Sequence, residues 1–309
     1  MVNTRILEQR LRWRQTRDSE DGDNVEGGDI GNGGRVVALP EPRSMSHAPL
    51  LQGRIETAVA SVDNLQTARA ADVENAWEAL PKVADSAEKL RARRGALHSI
   101  DRRSDAAPAL DRLRARLLPA LQEHGWNRIG VCAPRLGGGA TFVAAGLAAS
   151  IARLQDRRVL LADMDLAAPT LARRFELGAP TGIAALIAGD VPLDTALCRI
   201  GSNLALLMQD APVDDAGAVA QSRALDGALR RLLDTLAPDA LIMDMPPLLE
   251  SEVSTALLDH LDAVLLVADG TRTVPRDITE CEALLDGRVP LLGVVLNKSE
   301  DAAGHRGRG

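Results

Sequence analysis

Tyrosine is absent from the 309 residues, so the chain cannot phosphorylate itself on that residue type. Cysteine is nearly absent too. Cys132, Cys198 and Cys281 lie far apart with no CxxC pair, which excludes a disulfide framework and a thiolate zinc site and leaves three reduced core residues. No apolar run approaches the roughly 18 uninterrupted residues of a membrane-spanning helix, and the first residues are charge-rich rather than a signal-peptide core. A cytoplasmic protein is therefore expected. A net charge of −7 supplies no broad basic surface for nucleic acid, so no nucleic-acid partner is expected. The G-x-S-x-G elbow of hydrolases is missing, and no Ser, His and Asp grouping is favoured by a motif. His124 and His260 fall near expected helix ends, where an imidazolium complements the helix dipole.

What is present changes character along the chain. Residues 1–17 carry Arg5, Arg10, Arg12, Arg14 and Arg17 among Ile6, Leu7, Leu11 and Trp13, which reads as a short basic amphipathic helix. Residues 18–50, opening on an acidic stretch and the run GGDIGNGG, have the composition of a disordered linker. Across 51–105, Ile55, Val59, Val62, Val73, Trp77 and Leu80 recur at helical spacing, giving a helical extension punctuated by Pro81. From 106 to 300 helices alternate with continuous apolar strands. The strands are expected at Arg128 to Ala133, across RVLLADM, and at Leu204 to Met208, Ala240 to Met243, Ala263 to Val267 and Leu291 to Leu296. The helix at 223–237 bears one stripe of Leu225, Leu229, Leu232, Leu233 and Leu236. Such alternation predicts an α/β, doubly wound, mostly parallel sheet of the P-loop NTPase type, followed by a disordered tail at 301–309.

The strand IGVCA runs into PRLGGGAT and then a helix, the context that gives a phosphate-loop match its meaning. Gly137, Gly138 and Gly139 let successive N–H groups curl around phosphate, and the helix behind them adds its positive end. Ala140 occupies the position of the usual lysine, Thr141 offers a hydroxyl to magnesium, and Phe142 follows. Asp163 and Asp165 in VLLADMD, and Asp244 closing ALIMD as in a Walker B strand, are the candidate carboxylates for magnesium or its waters. Asn297, after the last strand, is placed to read an adenine edge. Losing one preorganised cation costs about 10² to 10³ in rate, so turnover suffers more than binding, which rests on backbone amides. Arg135 is the candidate to lend a replacement charge, and with Asp163 and Asp165 it would carry any remaining catalysis.

The motifs IGVCAPRLGGGATFVAAGLAASIA, VLLADMDLAAPTL, LIMDMPPLL, DAVLLVADGTRT and LLGVVLNK, in this order over residues 108–298, resemble the bacterial tyrosine kinases of capsule and exopolysaccharide production. That family lies within the Par-type and Min-type ATPases. The resemblance implies ATP or ADP with Mg²⁺ at the loop, Asp163, Asp165 and Asp244. It also implies ring-like oligomers and a partner at the inner membrane, a polysaccharide co-polymerase or chain-length regulator. An intact kinase paralogue is a further candidate partner. The chain departs from the family at Ala140, at Ala167 and Ala168 where paired basic residues are usual, and at a ring-assembly helix motif that falls on Pro108, Asp111 and Arg114, of which only Arg114 is retained. The tyrosine-rich tail is replaced by AAGHRGRG.

The expectation is a degenerate, kinase-like regulator of polysaccharide synthesis or export that works through partners, peripheral to the inner membrane, with weak or no ATP turnover. One alternative is an active Mg-ATP-dependent ATPase or kinase acting in trans. Another is a Min-like or Par-like positioning protein anchored to membrane or partner by the basic N-terminal helix.

Overall fold

The computed structural model describes residues 69–83, 104–175, 177, 182–189, 191–209 and 211–298. The basic helix at 1–17, the linker and the tail lie outside the described residues. Residues 69–79 form a helix, α1. The remaining helices are α2 (Ala107–His124), α3 (Ala140–Ala152), α4 (Leu171–Phe175), α5 (Gly182–Ala188), α6 (Leu193–Ala196), α7 (Ala216–Ala220), α8 (Arg223–Leu236), α9 (Glu252–Leu257) and α10 (Pro275–Leu285). The strands are β1 (Arg128–Cys132), β2 (Val159–Asp163), β3 (Leu197–Ile200), β4 (Leu204–Leu207), β5 (Ala240–Asp244), β6 (Ala263–Asp269) and β7 (Leu291–Asn297). Among the described residues no helix is long and apolar enough to cross a membrane.

The seven strands are ordered β3-β4-β2-β5-β1-β6-β7, and every pairing is parallel except β3 with β4. The expected doubly wound, mostly parallel sheet is borne out. Alternate strand residues feed two cores, one on each face. Val159, Leu161, Ile242, Val131 and Leu265 join α2 and α3 on one side, while Leu160, Ala162, Leu241, Met243 and Leu266 join α8 on the other. This two-sided burial is why the strands read as unbroken apolar runs.

Local chemistry sets the helix ends. Pro108 sits in the first turn of α2, where its missing N–H costs nothing, and Gly125 closes the helix at φ 66°. The Ser222 hydroxyl accepts the Leu225 N–H at the start of α8. Helix α3 is apolar nearly all round, and its alanines let it lie against the sheet while α2 covers its outer side. Asp111 binds α2 to α3, its Oδ1 accepting from Arg114, from the Ser150 hydroxyl and from Arg153. Arg114 also donates to the Ser150 carbonyl at 2.7 Å. Arg114 is thus bonded inside this domain.

Part of the expected helical extension belongs to the same body. Trp77 on α1 is 1% exposed, and its Nε1 donates to the Leu236 carbonyl at the end of α8. The Arg158 guanidinium lies 5.1 Å from the centre of the Trp77 ring. Residues 81–83 then run beside β3, with Val83 N donating to Arg199 O at 2.9 Å and Arg199 N to Pro81 O at 2.8 Å. Arg199 would be a misfit in a buried strand, but its guanidinium donates to the Leu80 and Glu78 carbonyls. Cys132, Cys198 and Cys281 are free and buried, and burial pushes the Cys281 thiol up to about 12.

Truncating Trp77 would open a cavity and orphan the Leu236 carbonyl. Trp77→Ala is expected to destabilise the protein by about 3 to 5 kcal/mol, measured as a lowered midpoint in urea unfolding. An unchanged midpoint would show that α1 contributes nothing to the fold.

Candidate functional site

The parallel register of β2 with β5 pairs Asp163 with Asp244 at the carboxyl ends of both strands. Adjacent strands are separated by about 4.8 Å, so these two acids are forced together. Both lie on the α3 face, since Leu161 and Ile242, two residues earlier, belong to that core. Asp163 is 1% and Asp244 2% exposed. Asp163 Oδ2 accepts the Thr170 and Leu171 N–H groups, each at 2.8 Å, and its Oδ1 accepts that of Asp165 at 3.2 Å. Even so, burial pushes its carboxyl up to about 6, with the Asp165 charge adding to the rise. Burial and then the Asp163 charge hold Asp244 well above the usual carboxylate range, against the Thr141 hydroxyl bond and the Arg174 charge. Asp244 Oδ1 has no hydrogen-bond partner. Burial raises Asp165 as well, and of the three acids it is the one that lines the adjoining cleft.

That cleft, about 450 Å³, is floored by residues 133 and 135–142 and walled by Asp165, Thr170, Arg174, Met245, Pro247, Asn297 and Lys298. The loop leaves β1 beside the segment after β5, held by Leu248 N on Ala133 O and Leu249 N on Pro134 O. Gly137 and Gly139 adopt φ 86° and 93°, which a side chain tolerates poorly. A Cβ on Gly139 would also run into the Asn297 amide. Helix α3 begins at Ala140, which is 9% exposed, so its methyl group brings no charge into the cleft. Thr141 and Phe142 are half-buried in the first turn.

The structure thus gathers Gly137, Gly138, Gly139, Ala140, Thr141, Phe142, Asp163, Asp165, Asp244 and Asn297 at one edge of the sheet. Two residues stand differently from the reading of the sequence. Asn297, at the cleft wall, is 7% exposed, and its Nδ2 donates to the Gly138 carbonyl at 3.1 Å, which braces the loop. The Arg135 guanidinium, at the wall of the cleft, pairs with Asp277 at 3.0 Å and with Glu250 at 3.5 Å. Glu250 also takes the Leu136 N–H at 2.8 Å. His260 is buried, with Nε2 2.8 Å from the last carbonyl of α7, a helix end other than its own. His124 stacks against Trp126, ring centres 4.2 Å apart.

Lys298 was not read from the sequence as a site residue, although it directly follows Asn297. Its Nζ donates to Gly137 O and to Asp269, each at 2.7 Å, and the hydrogen bond from Lys298 draws the Asp269 carboxyl down to about 2. Arg174, on α4, also lines the cleft and has no local sequence signal. Among the described residues no group of three or more His, Cys, Asp and Glu side chains closes on a common point as ligands of one ion. The acids nevertheless suit a divalent cation reached in part through water, since they crowd charge around an unpartnered buried oxygen.

No family model matches the chain. It is 29% identical over 194 residues to a protein of Ralstonia nicotianae named "Putative tyrosine-protein kinase EpsB", and 30% identical over the same length to its namesake from Ralstonia solanacearum. Each match takes in 61% of this chain but 25% of the relative, so the chain spans about a quarter of the curated proteins it matches. The kinase domain of the Escherichia coli tyrosine kinase ETK superposes with a TM-score of 0.59 at 23% identity, covering 67% of this chain and 81% of that one. The BceF tyrosine kinase domain gives 0.57 at 23%, covering 71% and 90%. These structures share the fold. Together with the Ralstonia proteins they bear out the resemblance to the bacterial tyrosine kinase family.

Asp163, Asp165 and Asp244 each titrate higher in the folded chain than in the unfolded one, so ionising them disfavours folding. Without divalent cation, stability is expected to fall as pH rises from about 4 through about 6, Asp163 alone accounting for at most about 3 kcal/mol. Asp269, drawn down to about 2, acts only below that window. Thermal unfolding across this range should show the decline, and Asp163→Asn should flatten it. A wild-type profile that rises with pH would contradict the geometry.

Proposed function

We propose that this chain is a kinase-like regulator of exopolysaccharide or capsule synthesis or export that acts through partner contacts, with weak or no ATP turnover. The observation that carries this reading is Ala140. The loop, the threonine and the acidic strand ends are retained around it, whereas the position that supplies the ammonium holds a buried methyl group. Support for the biological setting comes from the resemblance to the bacterial tyrosine kinases and from relatives bearing a tyrosine kinase name.

The loop amides of Gly137, Gly138 and Gly139, with Thr141, would hold the phosphates of ATP or ADP. Thr141 and Asp244, with Asp165 through water, would hold Mg²⁺. When bound, that cation supplies charge neutralisation for phosphate oxygens and for the crowded carboxylates. The chain's own residues bind and orient at this edge. No loop ammonium stabilises developing charge, a deficit of about 3 to 4 kcal/mol at a transition state. Arg135, the candidate substitute, is paired with Asp277 and Glu250, which favours the regulatory reading over an active kinase working in trans.

Magnesium-dependent ATP turnover of the full chain should not exceed that of Asp244→Ala, while Ala140→Lys should raise phosphate affinity by about tenfold or more. Native turnover that Asp244→Ala abolishes would overturn the regulatory assignment in favour of an active ATPase or kinase.

A further inference from the structure

Three cations line the cleft, Arg135, Arg174 and Lys298. Two are committed elsewhere. Arg135 is paired with Asp277 and Glu250, and Lys298 is neutralised by Asp269 while donating to the Gly137 carbonyl. Arg174 is different. Among the described residues its guanidinium forms no hydrogen bond or ion pair, yet its charge is felt at the buried Asp244. Its backbone is fixed, with Arg174 N donating to Thr170 O at 2.9 Å in the short helix whose first amides grip Asp163. Its neighbour Arg173 is exposed and does not line the cleft.

We propose that Arg174 replaces the absent loop lysine as the cation that meets the terminal phosphates of a nucleoside di- or triphosphate in this cleft. The proposal rests on reading the cleft as a nucleotide site. The charge comes from the β2 side of the loop rather than from within it, beside the carboxylates that would share Mg²⁺. A guanidinium suits the task, since its planar fork pairs with two phosphate oxygens at once and stays charged at any working pH. An exposed side chain on a fixed backbone can also fold over a ligand that enters from solvent. A lysine at position 140 would sit under the phosphates, whereas Arg174 would close over them. Binding would be restored in this way without rebuilding the geometry that phosphoryl transfer requires.

Calorimetric titration of the full chain with ATP, ADP and AMP in the presence of Mg²⁺ tests this, using the native protein, Arg174→Ala, Arg174→Lys and Lys298→Ala. A lost charge-assisted contact corresponds to about a ten- to hundredfold weaker Kd for ATP in Arg174→Ala. AMP, which lacks the outer phosphates, should bind that variant as it binds the native protein, and Arg174→Lys should recover part of the loss. Thermal unfolding without nucleotide should show each variant still folded. Equal ATP affinity in native and Arg174→Ala overturns the proposal, as does a loss shared by ATP and AMP or a loss confined to Lys298→Ala. If the native chain binds none of the three nucleotides, the nucleotide reading of the cleft fails and this inference goes with it.

Discussion

Two carboxylates held side by side by parallel strand pairing are the constraint around which this edge of the molecule is organised. The register of β2 with β5 leaves Asp163 and Asp244 no freedom to separate, and both are out of water. The surroundings answer that repulsion by several means. Three amides bind Asp163, the Thr141 hydroxyl binds Asp244, and Arg174 adds a positive charge from outside the sheet. What they leave over is a pair of acids that burial holds above the usual carboxylate range and one unpartnered oxygen, a state that a divalent cation would relieve.

The phosphate loop itself is held from outside. Asn297 fixes Gly138, Lys298 fixes Gly137, and Glu250 takes the amide of Leu136, so side chains from the end of β7, just beyond it and after β5 hold the loop backbone. Lys298 adopts φ 56°, an uncommon conformation for a residue with a side chain, at the point where it turns back to the loop. The glycines supply curvature, and these neighbours supply rigidity. An alanine at position 140 therefore changes the charge of the cleft far more than its shape.

Strands buried on both faces announce themselves as apolar runs, which is why β1, β2, β4, β5, β6 and β7 could be read before the fold was known. Strand β3 could not. Its four residues include Arg199, whose burial makes sense only once the Leu80 and Glu78 carbonyls stand beside it. The acids of the site were legible because each closes a strand, and the glycines because they sit between strand and helix. The partners of Asn297 and Arg135 were not legible, since they are set by tertiary approach. The Gly138 carbonyl is 159 positions from Asn297, and Asp277 is 142 from Arg135. Arg174 carries no motif at all, and only the cleft wall singles it out.

Residues 81–83 lie along β3 where the sheet would otherwise end in unpaired backbone. An open strand edge is a template for another chain's strand, and proteins that leave one bare tend to stack edge to edge. Here the cover comes from the segment that also seats Trp77 against α8. The natural unit of this molecule thus starts earlier than its glycine loop and strand motifs suggest. A fragment cut at residue 104 would keep every described strand and every site residue, yet it would lay bare the β3 backbone that residues 81–83 cover.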